Sequence, residues 1–417
     1  MSIVGLSSLA LVVTLAGPWS NGSDDWPIWR GPTGNGVAPG NQSPPTQWDE
    51  STNIKWRAEV PGRGHSSPTI VGDKIFLTTA EIDTEEQSFL CYDRKNGEMI
   101  WRTVVNTGGF NPQIHKSNTH ASPSIVTQNG RLFGSFNNHE GVQIICMDFD
   151  GKVLWQKVAG AFVQDIPFGY AATPCLYKDS VIVVSEFSDG FFVAYDQADG
   201  KELWRQPKKH GTSYASPVIA NLGGRDQMLF SGCERVASYD PSNGEELWSV
   251  EAPWAVACGT IVWEDDMIFV GGGYPKTGVM GIKADGSEVV WQNKEKCYEQ
   301  SLLVHDGYVY AQTDRGMAIC WDAKTGEEMW KERLKGPVSS SPVLAGGNVY
   351  LTNERGTTYV VKANPKKFEM VSENQLLDGC LTSLTILDDR IYMRAFNSDD
   401  GSDLQYLFCL EQGAKTE

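Results

Sequence analysis

Ala194-Tyr195-Asp196-Gln197-Ala198-Asp199-Gly200-Lys201-Glu202-Leu203-Trp204 joins an apolar strand end, a tight polar turn and a second strand that closes on Trp. The same arrangement returns as Cys91-Tyr92-Asp93 with Gly97 and Trp101, and as Ser238-Tyr239-Asp240 with Gly244 and Trp248. Cys320-Trp321-Asp322 with Gly326 and Trp330 is a further copy, and shortened copies end at Trp155 and Trp291. Self-similarity at roughly forty to fifty residues, built from strands and turns, is the signature of a propeller or an array. One such repeat cannot bury its faces without neighbours, so the units must stack.

A second signature marks where each repeat begins. Ser66-Ser67-Pro68, Ala121-Ser122-Pro123, Ala172-Thr173-Pro174, Ala215-Ser216-Pro217 and Ser340-Ser341-Pro342 each precede an apolar strand. Pro is tolerated there because a strand's first residue can spare its N–H. Counting back from the remaining strands adds Thr260, Ser301 and Ser383, giving eight Ser or Thr positions and therefore eight repeats. Pairs such as Asp306-Gly307 and Gly347-Asn348 supply the positive φ that tight hairpins need. Each repeat reads as four short antiparallel strands, the composition of a propeller blade.

The last repeat stops at Tyr406-Leu407-Phe408-Cys409-Leu410, one strand short, while Asn53–Val60, containing Trp56, is a strand with no repeat of its own. The expected fold is therefore an all-β, eight-bladed β-propeller whose ring is closed by the N-terminal strand 53–60. Closure of this kind removes exposed sheet edges. Residues 24–52 are rich in Gly and Pro and are expected to pack on the outside, pinned by Trp26 and Trp29. A closed ring of this type is expected to be a monomer.

Ile3–Ala16 is an apolar run of the length of a signal-peptide core and too short to span a bilayer. Small residues at Ala16-Gly17 suit cleavage, although no Lys or Arg precedes Arg30. A signal peptide over 1–23, and a periplasmic or secreted mature protein, are the expectation. The net charge of −17 argues against nucleic acid, which requires clustered Lys and Arg. Four of the nine Cys, at 91, 146, 320 and 409, share one repeat position that Ala194, Ser238 and Gly281 fill elsewhere. That pattern marks a small buried residue rather than a disulfide partner.

The repeated turn and four-strand unit resemble the bacterial pyrroloquinoline-quinone-like propeller family from Trp26 onward. That family contains quinoprotein dehydrogenases and cofactor-free scaffolds, including one in the outer-membrane β-barrel assembly machine. The resemblance implies for the dehydrogenases a quinone held over a Trp, against a vicinal disulfide, beside calcium and a catalytic Asp. This sequence has no Cys-Cys pair and no large blade insertions. Fold alone does not choose between such functions.

Residues two before the Ser/Thr positions face the channel mouth along a pleated strand. The candidates for ligand binding are His65, His120, Tyr214, Cys258 and Glu299, with Arg63 beside them. His, Cys and Glu can ligate transition metals, but His65 and Cys258 arise on opposite sides of the channel, so no metal is expected. Trp56, Trp101, Trp155, Trp204, Trp248, Trp291 and Trp330 read as blade-packing residues. The preferred reading is a non-catalytic binding or scaffold protein of the envelope, presenting loops to a protein or glycan without a cofactor. The alternative is a quinoprotein dehydrogenase using pyrroloquinoline quinone and calcium on an alcohol or sugar.

Overall fold

The computed structural model describes residues 25–161, 168–185, 190–209, 211–397 and 404–415, so the expected leader over 1–23 lies outside the described residues. Eight four-stranded antiparallel sheets make an eight-bladed propeller. Blades 1 to 7 span 69–107, 126–160, 175–207, 218–251, 262–293, 303–333 and 343–375. Blade 8 takes its three inner strands from Thr385–Leu387, Arg390–Phe396 and Gln405–Lys415 and its outermost strand from Thr52–Val60. Trp56 pairs with Cys409 and Val60 with Gln405, so the two ends of the chain share one sheet.

The repeated turn explains how adjacent blades lock. Within a blade the motif Trp sits directly across from the small position: Trp101 opposite Cys91, Trp155 opposite Cys146, Trp204 opposite Ala194 and Trp330 opposite Cys320. A larger residue there would collide with the indole; a Cβ added at Gly281 would lie 2.4 Å from Trp291. All of these indoles but Trp330 then cover the turn Gly of the next blade, as Trp155 lies on Gly200, Trp204 on Gly244, Trp291 on Gly326 and Trp56 on Gly97, while Trp330 meets Asn364. Gly200 and its counterparts have positive φ and would place a Cβ inside the ring, so two separate constraints require Gly. Several indole N–H groups also donate to a carbonyl of that next blade, Trp155 to Gln197 at 3.1 Å and Trp56 to Arg94 at 3.2 Å.

Blade 7 carries Ser372, opposite Val360, where the other blades carry Trp. The N-terminal segment compensates. Trp48 is buried in the same core cluster as Val360 and Ile391 and stacks on Tyr350 with ring centres 6.4 Å apart. The Ser372 hydroxyl and the Asn374 amide both donate to the Thr46 carbonyl. None of the nine cysteines forms a disulfide, and Cys91, Cys146, Cys320 and Cys409 are buried, with burial pushing each thiol up to about 12.

The start of each blade holds a second circular network. The backbone N–H of one Ser/Thr donates to the side-chain oxygen of the next blade's: Ser67 to Ser124, Ser124 to Thr173, Thr173 to Ser216, and onward through Ser301, Ser341 and Ser383 back to Ser67. Among the described residues, seven of the eight junctions carry this bond, at 2.9–3.1 Å. In blade 2 the member is Ser124, not the expected Ser122. There the Ser-Pro dipeptide stands two residues early, because Ser124 precedes the strand Val126–Gln128 by the same two residues as Ser67 precedes Thr69–Val71.

Residues 25–44 run over the innermost strands at one end of the ring, and Thr46–Trp48 reach the outermost strand of blade 7. Trp26 bridges to Ile70 of blade 1, Asn35 exchanges hydrogen bonds with Trp263 of blade 5, and Val37 bridges to Leu344 of blade 7. Arg30 is buried and donates to Leu302 of blade 6 at 2.7 Å and Pro342 of blade 7 at 2.6 Å.

Replacing Trp155 by Ala empties an aromatic site between blades 2 and 3, and the expected loss is about 3–5 kcal/mol by denaturant unfolding. Unchanged stability would show that the indole does not join the blades. Ser124→Ala leaves the buried Ser67 N–H without its acceptor and is expected to cost about 1–3 kcal/mol. A Ser124→Ala protein melting with the wild type would contradict the hydroxyl ring.

Candidate functional site

The channel widens on the mouth side into a cavity of about 410 Å³, within the range of small-molecule sites. One residue per blade rims it: His65, Ser122, Ala171, Tyr214, Cys258, Glu299, Ser339 and Leu381. Each stands two positions before its member of the hydroxyl ring, and pleating turns both toward the axis. Ser67, Ser124, Thr173, Ser216, Ser341 and Ser383 line the level below. Trp29 lines this cavity and also the narrow space beneath the ring, where Trp26, Ile28 and Pro68 lie, so it forms the floor.

The structure thus brings His65, Tyr214, Cys258 and Glu299 together and excludes His120 and Arg63. The two-residue shift in blade 2 puts Ser122 where His120 was expected. His120 is buried instead against Phe110, ring centres 4.1 Å apart, and its carbonyl accepts from Gln87. Arg63 pairs with Ala80 and donates to the Lys116 carbonyl at 3.0 Å, along the rim rather than in the cavity. Sequence reasoning missed Trp29, Lys296, Tyr298 and Asp314. Trp29 belongs to a Pro-rich segment with no periodicity, and Tyr298 is adjacent to Glu299, where simple alternation points it away from the axis.

Burial governs the protonation of the cavity. It pushes the His65 imidazole down to about 3, with Arg63 and Arg394 adding to the effect, so His65 is neutral. Its Nε2 is buried without a hydrogen-bond partner among the described residues. Burial raises the Glu299 carboxyl above its usual range; the Ser339 hydroxyl opposes this, while Glu354 and Asp314 reinforce it. Asp314 is paired with Lys296 at 2.9 Å and accepts from the Tyr298 N–H at 2.9 Å. Glu354 accepts from the Ser339 hydroxyl at 2.7 Å.

This donor set does not fit the calcium and quinone arrangement that the resemblance implies. Calcium takes six to eight oxygen ligands, with carboxylates prominent. Here Asp314 and Glu354 are engaged by internal donors, and burial raises the Glu299 carboxyl above its usual range. Among the described residues no three His, Cys, Asp or Glu side chains are grouped to hold a metal ion. Cys258 has no neighbouring Cys in sequence with which to form a vicinal disulfide.

Residues 108–125 join blades 1 and 2, and in blade 5 an extra ribbon pairs Trp254–Val256 with Tyr274–Pro275. The ribbon rises beside Cys258 and Tyr298, and Tyr274 at its edge is 58% exposed.

The chain is 22% identical over 340 residues to the outer membrane protein assembly factor BamB of Burkholderia pseudomallei, covering 75% of this chain and 78% of that protein. Among solved structures it superimposes on BamB from Moraxella catarrhalis with a TM-score of 0.61 and 14% identity, covering 87% of this chain and 98% of that one. A europium-containing methanol dehydrogenase matches with a TM-score of 0.67 and 13% identity, covering 93% and 98%. Both structural likenesses speak for the propeller fold alone. A family model described as outer membrane protein assembly factor BamB matches residues 45–136, 85–255 and 275–367, more than half of the chain, and the protein belongs to that family.

Proposed function

We propose that this protein is a non-catalytic scaffold of the cell envelope that binds a protein partner in the assembly of outer membrane proteins. The match to the assembly-factor family over most of the blades carries this reading. The channel supports it. Its floor is closed by Trp29 and its carboxylates are committed to internal donors, which suits a rigid support better than a cofactor-loaded reaction chamber. No helix among the described residues is long and apolar enough to cross a membrane. A protein partner is favoured over a glycan because the curated relatives are named as assembly factors.

The loops of the mouth face are the recognition surface, since connecting segments on a rigid scaffold are free to carry specificity. Tyr274 is the anchor we assign there. An exposed aromatic on a paired ribbon loses little rotamer entropy on binding and offers both an apolar ring and a hydroxyl. Protein carrying an affinity tag is expected to retain an outer membrane assembly component from solubilised envelope. Tyr274→Ala should lower that retention about tenfold, equal to roughly 1.4 kcal/mol, at unchanged melting temperature. Retention undiminished by Tyr274→Ala would remove the ribbon from the interface. Dye reduction with an alcohol or sugar after adding pyrroloquinoline quinone and calcium would overturn the non-catalytic reading.

A further inference from the structure

Lys208 and Cys233 meet where blade 3 leads into blade 4, and neither belongs to the cavity. Both are 5% exposed, and Lys208 Nζ donates to Cys233 Sγ at 3.2 Å. The other partners of Nζ among the described residues are the carbonyls of Gly211 and Lys209. The sulfur in turn lies 3.1 Å from the Gly211 carbonyl.

The backbone is bent to hold the thiol there. Gly232 pairs with Arg235, leaving Cys233 and Glu234 as the two residues of a hairpin turn, with φ of 57° and 60°. Turns with two consecutive positive φ values favour Asn-Gly or Gly-Gly. Two non-Gly residues there hold strain of the kind that persists when surrounding structure demands it. Gly211 completes the fit: at φ 131°, a Cβ on it would come within 3.1 Å of Cys233 Cβ and 3.2 Å of Sγ. A buried lysine in contact with sulfur, a strained cysteine and a glycine that makes room for the sulfur coincide at one point.

We propose that Lys208 and Cys233 form a peroxide-responsive covalent switch, closing a sulfur–nitrogen bond between blades 3 and 4. The thiolate is the nucleophile in such chemistry, and the Lys208 nitrogen stands 3.2 Å from the sulfur. The sulfur attacks one oxygen of hydrogen peroxide, the O–O bond breaks and hydroxide leaves. Sulfur is oxidised by two electrons to the sulfenic acid, and the peroxide oxygens are reduced. Condensation of a sulfenic acid with a nearby nitrogen is an established fate of the oxidised thiol. The Lys208 nitrogen, having released a proton to solvent, attacks that sulfur. The S–N bond forms as the S–O bond breaks, and a second proton from nitrogen leaves with the hydroxide as water. A thiol reductant reverses the bond by attacking sulfur and returning the amine. The bond fixes the chain just before Ser213 and Tyr214, whose backbone and hydroxyl contacts to Ala257 and Ser231 build one wall of the cavity.

The test is peptide mass spectrometry on the intact wild-type protein after hydrogen peroxide treatment, using a protease that does not require free lysine. A linked peptide containing Lys208 and Cys233, lighter than the reduced pair by two hydrogens and released by dithiothreitol, is the expected result. In Lys208→Arg the linked peptide is lost, and Cys233 is instead captured as a sulfenic acid by dimedone. Wild-type Cys233 that stays unmodified, or passes to the sulfinic acid with no linked peptide, overturns the proposal without any variant. Persistence of the two-hydrogen loss in Lys208→Arg overturns the assignment to Lys208.

Discussion

A blade of this protein cannot finish its own packing. In six blades the outermost Trp covers a turn Gly that belongs to the next blade, and at seven of the eight junctions among the described residues the backbone at a blade's start bonds a hydroxyl on that next blade. Both devices run one way around the ring, so the last blade has a receiver only if the circle closes. Closure is made by Thr52–Val60, which places Trp56 opposite Cys409 within blade 8 and over Gly97 of blade 1. Without it, blade 8 would end on the unpaired strand Gln405–Lys415 and blade 1 would lose its indole cover. Propellers generally tolerate only short, protected edges, and here the closing strand supplies that protection.

The N-terminal segment extends the same logic to the other face of the ring. Arg30 joins blades 6 and 7, and Trp48 fills the seam that Ser372 leaves without a Trp. The guanidinium of Arg30 is held deep in the protein, where burial pushes its pKa down to about 9. Such groups are tolerated when backbone carbonyls satisfy them. The same segment contributes Trp29 as the channel floor, so the part of the chain that closes the ring also closes the channel.

The blade count, the strand exchange between the termini and the packing position of the four cysteines were legible because a repeat reports itself many times over. Single departures from the repeat were not. The Ser-Pro dipeptide of blade 2 stands two residues ahead of its usual place, and aligning on it put His120 in the place of Ser122 at the rim and Ser122 in the place of Ser124 in the hydroxyl ring. The hydrogen bonds from Ser67 and to Thr173 fix the register. The path of residues 25–51 was hidden for a related reason: Pro-rich chain has no period, so its tryptophans announce burial without saying against what. Ser372 is an ordinary polar residue in sequence, and its place as the missing Trp emerges only from its pairing with Val360. At the cavity, residue types were visible but their charge states were not, because the neutral His65 and the raised Glu299 follow from burial.

If ring closure is the constraint on which the rest depends, the strand Gln405–Lys415 should be among the slowest parts of the protein to open, although it lies at the end of the chain. Native-state amide hydrogen exchange measures this directly, comparing the full chain with one that begins at Gly62. The full chain should protect Tyr406–Leu410 as strongly as the central strands of blades 2 and 3, opening only with global unfolding. The shortened chain should lose that protection, with early exchange spreading from blade 8 into blade 1. Equal protection of Tyr406–Leu410 in both chains would contradict the account, because the blades would then be holding together without the strand that completes their circle.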